Sequence, residues 1–184
     1  SCGEALEFQH AYDLEVTETQ YEDLIRAKTG SLIGAATEIG AGLNGGARDV
    51  ARRERYRKFG EKVGVAFQIV DDLFDYLSDP AVTGKPVGYD LVEGKVTLPL
   101  IAALRLANER DRKRLLALAG RKRWTPAQWT SLTALIERAG GFRYARERAA
   151  ALAEESRELL AGEPASSARR ALDAAVDYAV QRDH

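Results

Sequence analysis

Apolar residues recur at three- and four-residue spacing along most of this chain, and no stretch alternates as a half-buried strand would. The segment at about 3–14, with Leu6, Phe8 and Leu14, reads as the tail of an earlier helix. Thr17 is a candidate N-cap for a helix running to about Leu43, with Glu18 and Gln20 in its first turns. Leu24, Ile25, Leu32, Ile33 and Ala36 form its apolar stripe, and Asn44-Gly45-Gly46 ends it. A second long helix runs from about Ala47 to Ser78; Asp79-Pro80 stops it, because the residue before proline is driven out of α space. Val96–Ala107 is an apolar helix in which Pro99 fits only the first turn. Arg110–Ala119, Pro126–Ala139, Phe142–Leu160 and Ala168–Val180 read as amphipathic helices, broken by Gly120, Gly140-Gly141 and Gly162-Glu163-Pro164. The pattern predicts one all-α domain without a β-sheet.

Charge interrupts the apolar stripes in three places. In Phe67-Gln68-Ile69-Val70-Asp71-Asp72-Leu73-Phe74-Asp75, carboxylates stand at i, i+1 and i+4. On a helix, Asp71 and Asp75 share a face one turn apart, with Asp72 beside them. Their neighbours Val65, Ile69, Val70, Leu73 and Phe74 predict burial, which is costly for charge that is neither paired nor metal-bound. Grouped carboxylates repel unless a cation sits between them, and an oxygen-only donor set suits Mg²⁺. Magnesium takes one or two carboxylates plus substrate phosphates, so the run points toward a diphosphate. A solvated acidic patch is the plain alternative. Second, the loop from Thr83 to Lys95 sets Gly84, Gly88 and Gly94 among Lys85, Lys95, Asp90 and Glu93, without a Walker pattern. Third, Lys28 stands on the first helix's apolar stripe where leucine is expected, and taken alone it reads as a snorkelling lysine rather than a phosphate ligand.

Together these pieces resemble the trans-isoprenyl diphosphate synthases. The matching residues are Gly3-Glu4, Lys28-Thr29-Gly30, Phe67-Gln68 joined to Asp71-Asp72-Leu73-Phe74-Asp75, Gly84-Lys85-Pro86 with Gly88 and Asp90-Leu91, and Glu93-Gly94-Lys95 with Thr97-Leu98-Pro99-Leu100. They cover roughly residues 1 to 105 in the family's order. An aspartate run alone is shared with class I terpene cyclases; the combination is not. The resemblance implies an isoprenoid-synthase-type helical bundle. It also implies a Mg²⁺-dependent transfer in which an allylic prenyl diphosphate ionises and the double bond of isopentenyl diphosphate attacks. By the same resemblance Asp71, Asp72 and Asp75 form the second aspartate-rich motif, with Asp71 the foremost metal ligand. Lys28, Lys85 and Lys95 match lysines that hold the allylic diphosphate. Thr29 and Gln68 match polar groups near the carbon that becomes positive, and Asp90 an acid supporting the lysine loop. A homodimer is implied for the full-length enzyme, and the KTGSLIGAA and FQIVDDLFDY runs lean toward long-chain products.

The resemblance also exposes a gap. Members carry a first aspartate-rich motif, and no second DDxxD is present here; Glu154-Glu155 and Asp173 to Asp177 are dispersed charges. The chain contains no methionine. The expectation is therefore residues 1–184 as the C-terminal part of a synthase domain, inactive by itself. A noncatalytic partner subunit of a heteromeric synthase is the other reading, against which the retained aspartates and lysines count.

Composition narrows the field slightly. A net charge of −1 gives no reason to expect nucleic acid. No apolar window reaches membrane-spanning length, no signal peptide is visible, and a single cysteine fits a cytoplasmic setting. The basic run Arg48, Arg52, Arg53, Arg55, Arg57 and Lys58 reads as a solvated helix face rather than an anion contact. Trp124 and Trp129 read as packing residues, and His10 and His184 show no metal-ligand spacing.

Overall fold

A computed structural model of the chain describes residues 7, 9–43, 48–77 and 88–181. Among these, the elements are α1 (Glu18–Ile25), a π-helical turn (Arg26–Gly30), α2 (Ser31–Gly42), α3 (Val50–Leu77), α4 (Tyr89–Val92), α5 (Leu98–Leu106), α6 (Glu109–Ala119), α7 (Pro126–Ala139), α8 (Gly141–Leu159) and α9 (Ser167–Val180). No described residue lies in a strand. The all-α expectation holds.

Local chemistry sets the helix starts. Thr17 accepts the Gln20 amide proton at 3.3 Å, and the Gln20 side chain accepts the Thr17 amide at 2.9 Å, so two orphan donors are satisfied reciprocally. Thr125 and Gln128 repeat this at α7. Asn108 and Ser166 cap α6 and α9. Pro99 lies in the first turn of α5, where its missing N–H costs nothing.

The 28-residue α3 is the central element, packed by α2 on one side and by α8 on another. The α2 contact is backbone to backbone. A Cβ on Gly60 would come within 2.8 Å of Gly34 Cα in α2, and one on Gly64 within 2.7 Å of Gly30 Cα in the π turn, so only glycine allows this approach. Beside α3, a main core gathers Ile69, Leu98, Leu100, Leu132, Ile136 and Phe142, while Phe59, Val63, Leu160 and Val176 form a smaller cluster toward α9.

The basic first half of α3 is matched by acids. Arg52 and Arg55 share Glu163, Arg53 pairs with Glu38, Arg57 with Glu54 and Glu61, and Lys62 with Glu155. The surface reading of this run is thereby supported. Trp129 stacks on Tyr76 at 5.7 Å and Trp124 donates to the Leu118 carbonyl, which gives both indoles the packing role expected. Trp129 also fixes the approach to α4: Gly88 has φ +72° and any Cβ there would run into the indole.

The helix expected from Thr17 to Leu43 has the right extent but is not α-helical throughout. At Arg26–Gly30 it widens into a π turn, which carries Lys28 and Thr29. Such inserted turns concentrate at functional sites because the extra residue re-aims side chains.

Candidate functional site

A cavity of about 320 Å³ opens between the α1–π segment, α3 and the Gly94–Thr97 stretch. Lys28 from the π turn, Gln68, Asp71 and Asp72 from α3, and Asp90 and Lys95 from beyond it line the cavity together. Two residues far apart in sequence, Lys28 and Asp71, thus face one space.

The three aspartates differ in environment. Asp71 is exposed at the cavity. Asp72 is 5% exposed and accepts from the Tyr21 hydroxyl at 2.6 Å and from the Gln68 amide at 2.9 Å. Burial pushes the Asp72 carboxyl up to about 7; the two hydrogen bonds oppose this, and the negative Asp90 and Asp71 add to it. Asp75, one turn on, is not among the residues lining the cavity. Its two oxygens accept the backbone amides of Tyr89 and Asp90 at 3.1 and 3.2 Å, and its carbonyl accepts the Gly88 amide. Asp75 therefore fastens the start of α4 to the end of α3. Burial and Asp90 raise its carboxyl to about 6 against the pull of those amides and Lys95.

The lysines converge on a residue that the motif analysis overlooked. Lys28 Nζ lies 2.7 Å from Glu7, and Lys95 Nζ lies 3.8 Å from the same carboxylate. Lys95 also pairs with Asp90 at 3.2 Å and Glu93 at 2.8 Å. Burial would lower the Lys95 ammonium, but Glu93 and Asp90 outweigh it and hold it above the ordinary lysine range. Asp90, expected to support the lysine loop, is thus an ion-pair partner of Lys95. Thr29 donates to Gln68 Oε1 at 2.9 Å, which joins the π turn to α3. Lys85 lies outside the described residues.

Tyr21 was also missed, and it lines the cavity together with His10, whose spacing gave no sign of a metal ligand. A signal for Tyr21 existed: it precedes Lys28 by seven residues, two helical turns along one stripe. Glu7 had none.

The donors suit a hard cation. The carboxylates offer only oxygen, and while burial is the main reason the Asp72 carboxyl is raised, the smaller repulsion from Asp90 and Asp71 is what a cation would relieve. Among the described residues no three or more His, Cys, Asp or Glu are grouped to hold a metal ion unaided. One or two carboxylates completed by ligand phosphates is the arrangement Mg²⁺ takes.

Residues 1–136 match the family described as polyprenyl synthetase. The chain belongs to this family. It is 38% identical over 183 residues to a short chain isoprenyl diphosphate synthase of Methanothermobacter thermautotrophicus, covering 99% of this chain and 55% of that protein. It is 40% identical over 163 residues to a nonaprenyl diphosphate synthase of Mycobacterium tuberculosis, covering 89% of this chain and 48% of that one. Among solved structures, a polyprenyl synthase from Caulobacter crescentus complexed with calcium and isoprenyl diphosphate aligns at TM-score 0.85 and 36% identity, over 98% of this chain and 54% of that one. The chain thus spans about half the length of the relatives it matches. No helix among the described residues is long and apolar enough to cross a membrane.

Proposed function

We propose that this chain supplies the half of a trans-prenyl transferase site that binds and ionises an allylic prenyl diphosphate. The observation carrying this is the convergence of Lys28 and Lys95 with Asp71, Asp72 and Asp90 on one cavity. Cations and carboxylates that line one cavity suit a ligand whose phosphates satisfy the first and whose counter-cation satisfies the second. A calcium ion and an isoprenyl diphosphate in the Caulobacter relative agree with that pairing.

Asp71 would hold Mg²⁺, with Asp72 and Asp75 completing the acidic run; bound there, the ion would neutralise charge on a leaving diphosphate. Lys28 and Lys95 bind the diphosphate and stabilise the charge it gains as the allylic C–O bond lengthens, with Lys85 a third lysine by family resemblance. Glu7 yields its lysines to the incoming phosphates. By family resemblance Thr29 and Gln68, bonded to each other at 2.9 Å, are the polar groups near the allylic carbon. No side chain needs to act as a nucleophile, since the double bond of isopentenyl diphosphate attacks the cation and a proton is then lost. That second substrate, a homodimeric cytoplasmic enzyme and a long-chain product belong to the proposal for the whole protein. So does the lack of turnover by these 184 residues alone; the KTGSLIGAA and FQIVDDLFDY runs support the chain length.

Titration calorimetry with an unreactive thio-analogue of an allylic diphosphate, with and without Mg²⁺, tests this reading. Binding should require Mg²⁺ and be lost with Asp71→Asn and Lys28→Ala. Binding that ignores both the metal and these substitutions would favour a noncatalytic partner subunit.

A further inference from the structure

Among the described residues, Tyr12 alone has a left-handed backbone without being glycine, at φ +63°. Bulky residues rarely adopt this conformation, and it persists where surrounding contacts over-determine it. Here those contacts converge on one turn. The Tyr12 amide donates to the Gly94 carbonyl at 2.8 Å, and its hydroxyl donates to the Val92 carbonyl at 3.2 Å. Its ring lies so close over Gly94 that a Cβ there would come within 2.8 Å of three ring atoms.

The turn itself is built without Tyr12. The Lys95 amide donates to the Asp90 carbonyl at 2.8 Å and the Gly94 amide to the Leu91 carbonyl at 3.1 Å, with Gly94 at φ +85°. These are the paired bonds of a Schellman motif, which ends α4 and places Lys95 just beyond it. Tyr12 docks the segment before α1 onto this turn. That segment brings Glu7, whose carboxylate lies 2.7 Å from Lys28 and 3.8 Å from Lys95. Glu7 and Gly94 line the cavity; Tyr12 does not, and acts through them.

A diphosphate entering the cavity competes with Glu7 for both lysines. On a loose segment, Glu7 could swing out into water and leave the lysines to the anion. Docked through Tyr12, five residues later in the chain, its backbone stays in place. The displaced carboxylate then remains within a side chain's length of the phosphates. Like charges at that range repel in a part-buried site, and a divalent cation arriving with the diphosphate relieves the repulsion.

We propose that Tyr12 is a positioning residue that pins Glu7 between Lys28 and Lys95, and that the pinned carboxylate makes the site select metal-bound over metal-free diphosphate. The proposal rests on the diphosphate-binding role given above and adds to it the residues that discriminate between the two forms of the ligand.

Calorimetry with inorganic pyrophosphate, in chelator and in excess Mg²⁺, tests this on the full chain. The wild type should bind the metal-bound form more tightly. Tyr12→Gly takes up φ +63° without strain but has neither ring nor hydroxyl. It should raise the affinity in chelator several-fold and leave that in Mg²⁺ within about twofold. A general loss of structure would weaken both. Tyr12→Gly/Glu7→Gln should gain no more than Glu7→Gln alone, because Tyr12 acts through that carboxylate. Tyr12→Phe keeps the ring on Gly94 and should behave as the wild type. If Tyr12→Gly does not fold, Tyr12→Asn, which also tolerates the left-handed region, takes its place. A folded variant without the ring that binds metal-free pyrophosphate no better than the wild type overturns the inference, as does a full further gain in the double variant. A wild type indifferent to Mg²⁺ overturns this inference while still taking the anion; one that binds neither form defeats the diphosphate reading beneath it as well.

Discussion

Gly64→Ala is the most direct probe of how the helices hold the site together. The added methyl would sit 2.7 Å from Gly30 Cα, short of ordinary contact, which begins at 3.4 Å, by about 0.7 Å. Neither partner is a side chain that can swing away. The α1–π–α2 arm and α3 must part by that amount, and the 2.9 Å Thr29–Gln68 bond would stretch past 3.5 Å and fail. Overpacking costs ~1–3 kcal/mol, and contact between backbones belongs at the upper end. Alanine's better helix propensity returns ~1 kcal/mol, which leaves a net loss of about 2 kcal/mol. With a urea slope near 2 kcal/mol/M, the unfolding midpoint should fall by about 1 M. Gly40→Ala is the control: a helical glycine of α2, it would meet nothing within 4 Å and should gain up to about 1 kcal/mol. Equilibrium urea unfolding of the pair reads the opposite signs. If Gly64→Ala is as stable as Gly40→Ala, close backbone packing is not what sets the distance between Thr29 and Gln68.

In the full-length enzyme, Asp71→Ala should lower turnover on the order of 10²–10³-fold with a smaller effect on substrate binding, since the lost contact strengthens only as the diphosphate leaves. Lys95→Ala should be milder, and steady-state kinetics across Mg²⁺ concentrations fix the order. Glu7→Gln removes the carboxylate between Lys28 and Lys95, so metal-free protein should bind inorganic pyrophosphate several-fold more tightly by calorimetry. In chelator, Asp72 raised to about 7 means that the folded state holds this proton more firmly than the unfolded chain, where the group titrates near 3.8. This group's contribution to stability should therefore improve as pH falls from about 7 toward 4; Asp72→Asn should flatten that part of the profile, and a variant whose pH dependence matches the wild type refutes it.

Elements with a local cause were legible in the sequence. Thr17 with Gln20 and the breaks at Gly120 and Gly140 act within a few residues, so pattern alone placed these helix ends closely, while the stops at Asn44-Gly45-Gly46 and Asp79-Pro80 lie outside the described residues. The acidic run on α3 and the misplaced Lys28 were legible because each violates an apolar stripe at a cost that only a ligand or partner offsets. What escaped depended on which elements meet. Gly30, Gly60 and Gly64 look like mild helix weakeners until α2 is laid against α3, when they become the surface that lets the backbones touch. The π turn has the same origin. Nothing in Arg26–Gly30 forbids an ordinary α turn, but the extra residue coincides with Gly30 against α3 and with Thr29 bonded to Gln68. Tyr21 and Glu7 were hidden for a related reason, since their partners Asp72 and Lys28 lie 51 and 21 residues away. The motif aspartates show the same division among themselves. The sequence run groups three carboxylates with Asp71 foremost; in the fold Asp71 lines the cavity, Asp72 is bonded to Tyr21 and Gln68, and Asp75 is committed to the α4 amides. Spacing on a helix decides which way a side chain leaves the axis; what waits there decides what it does.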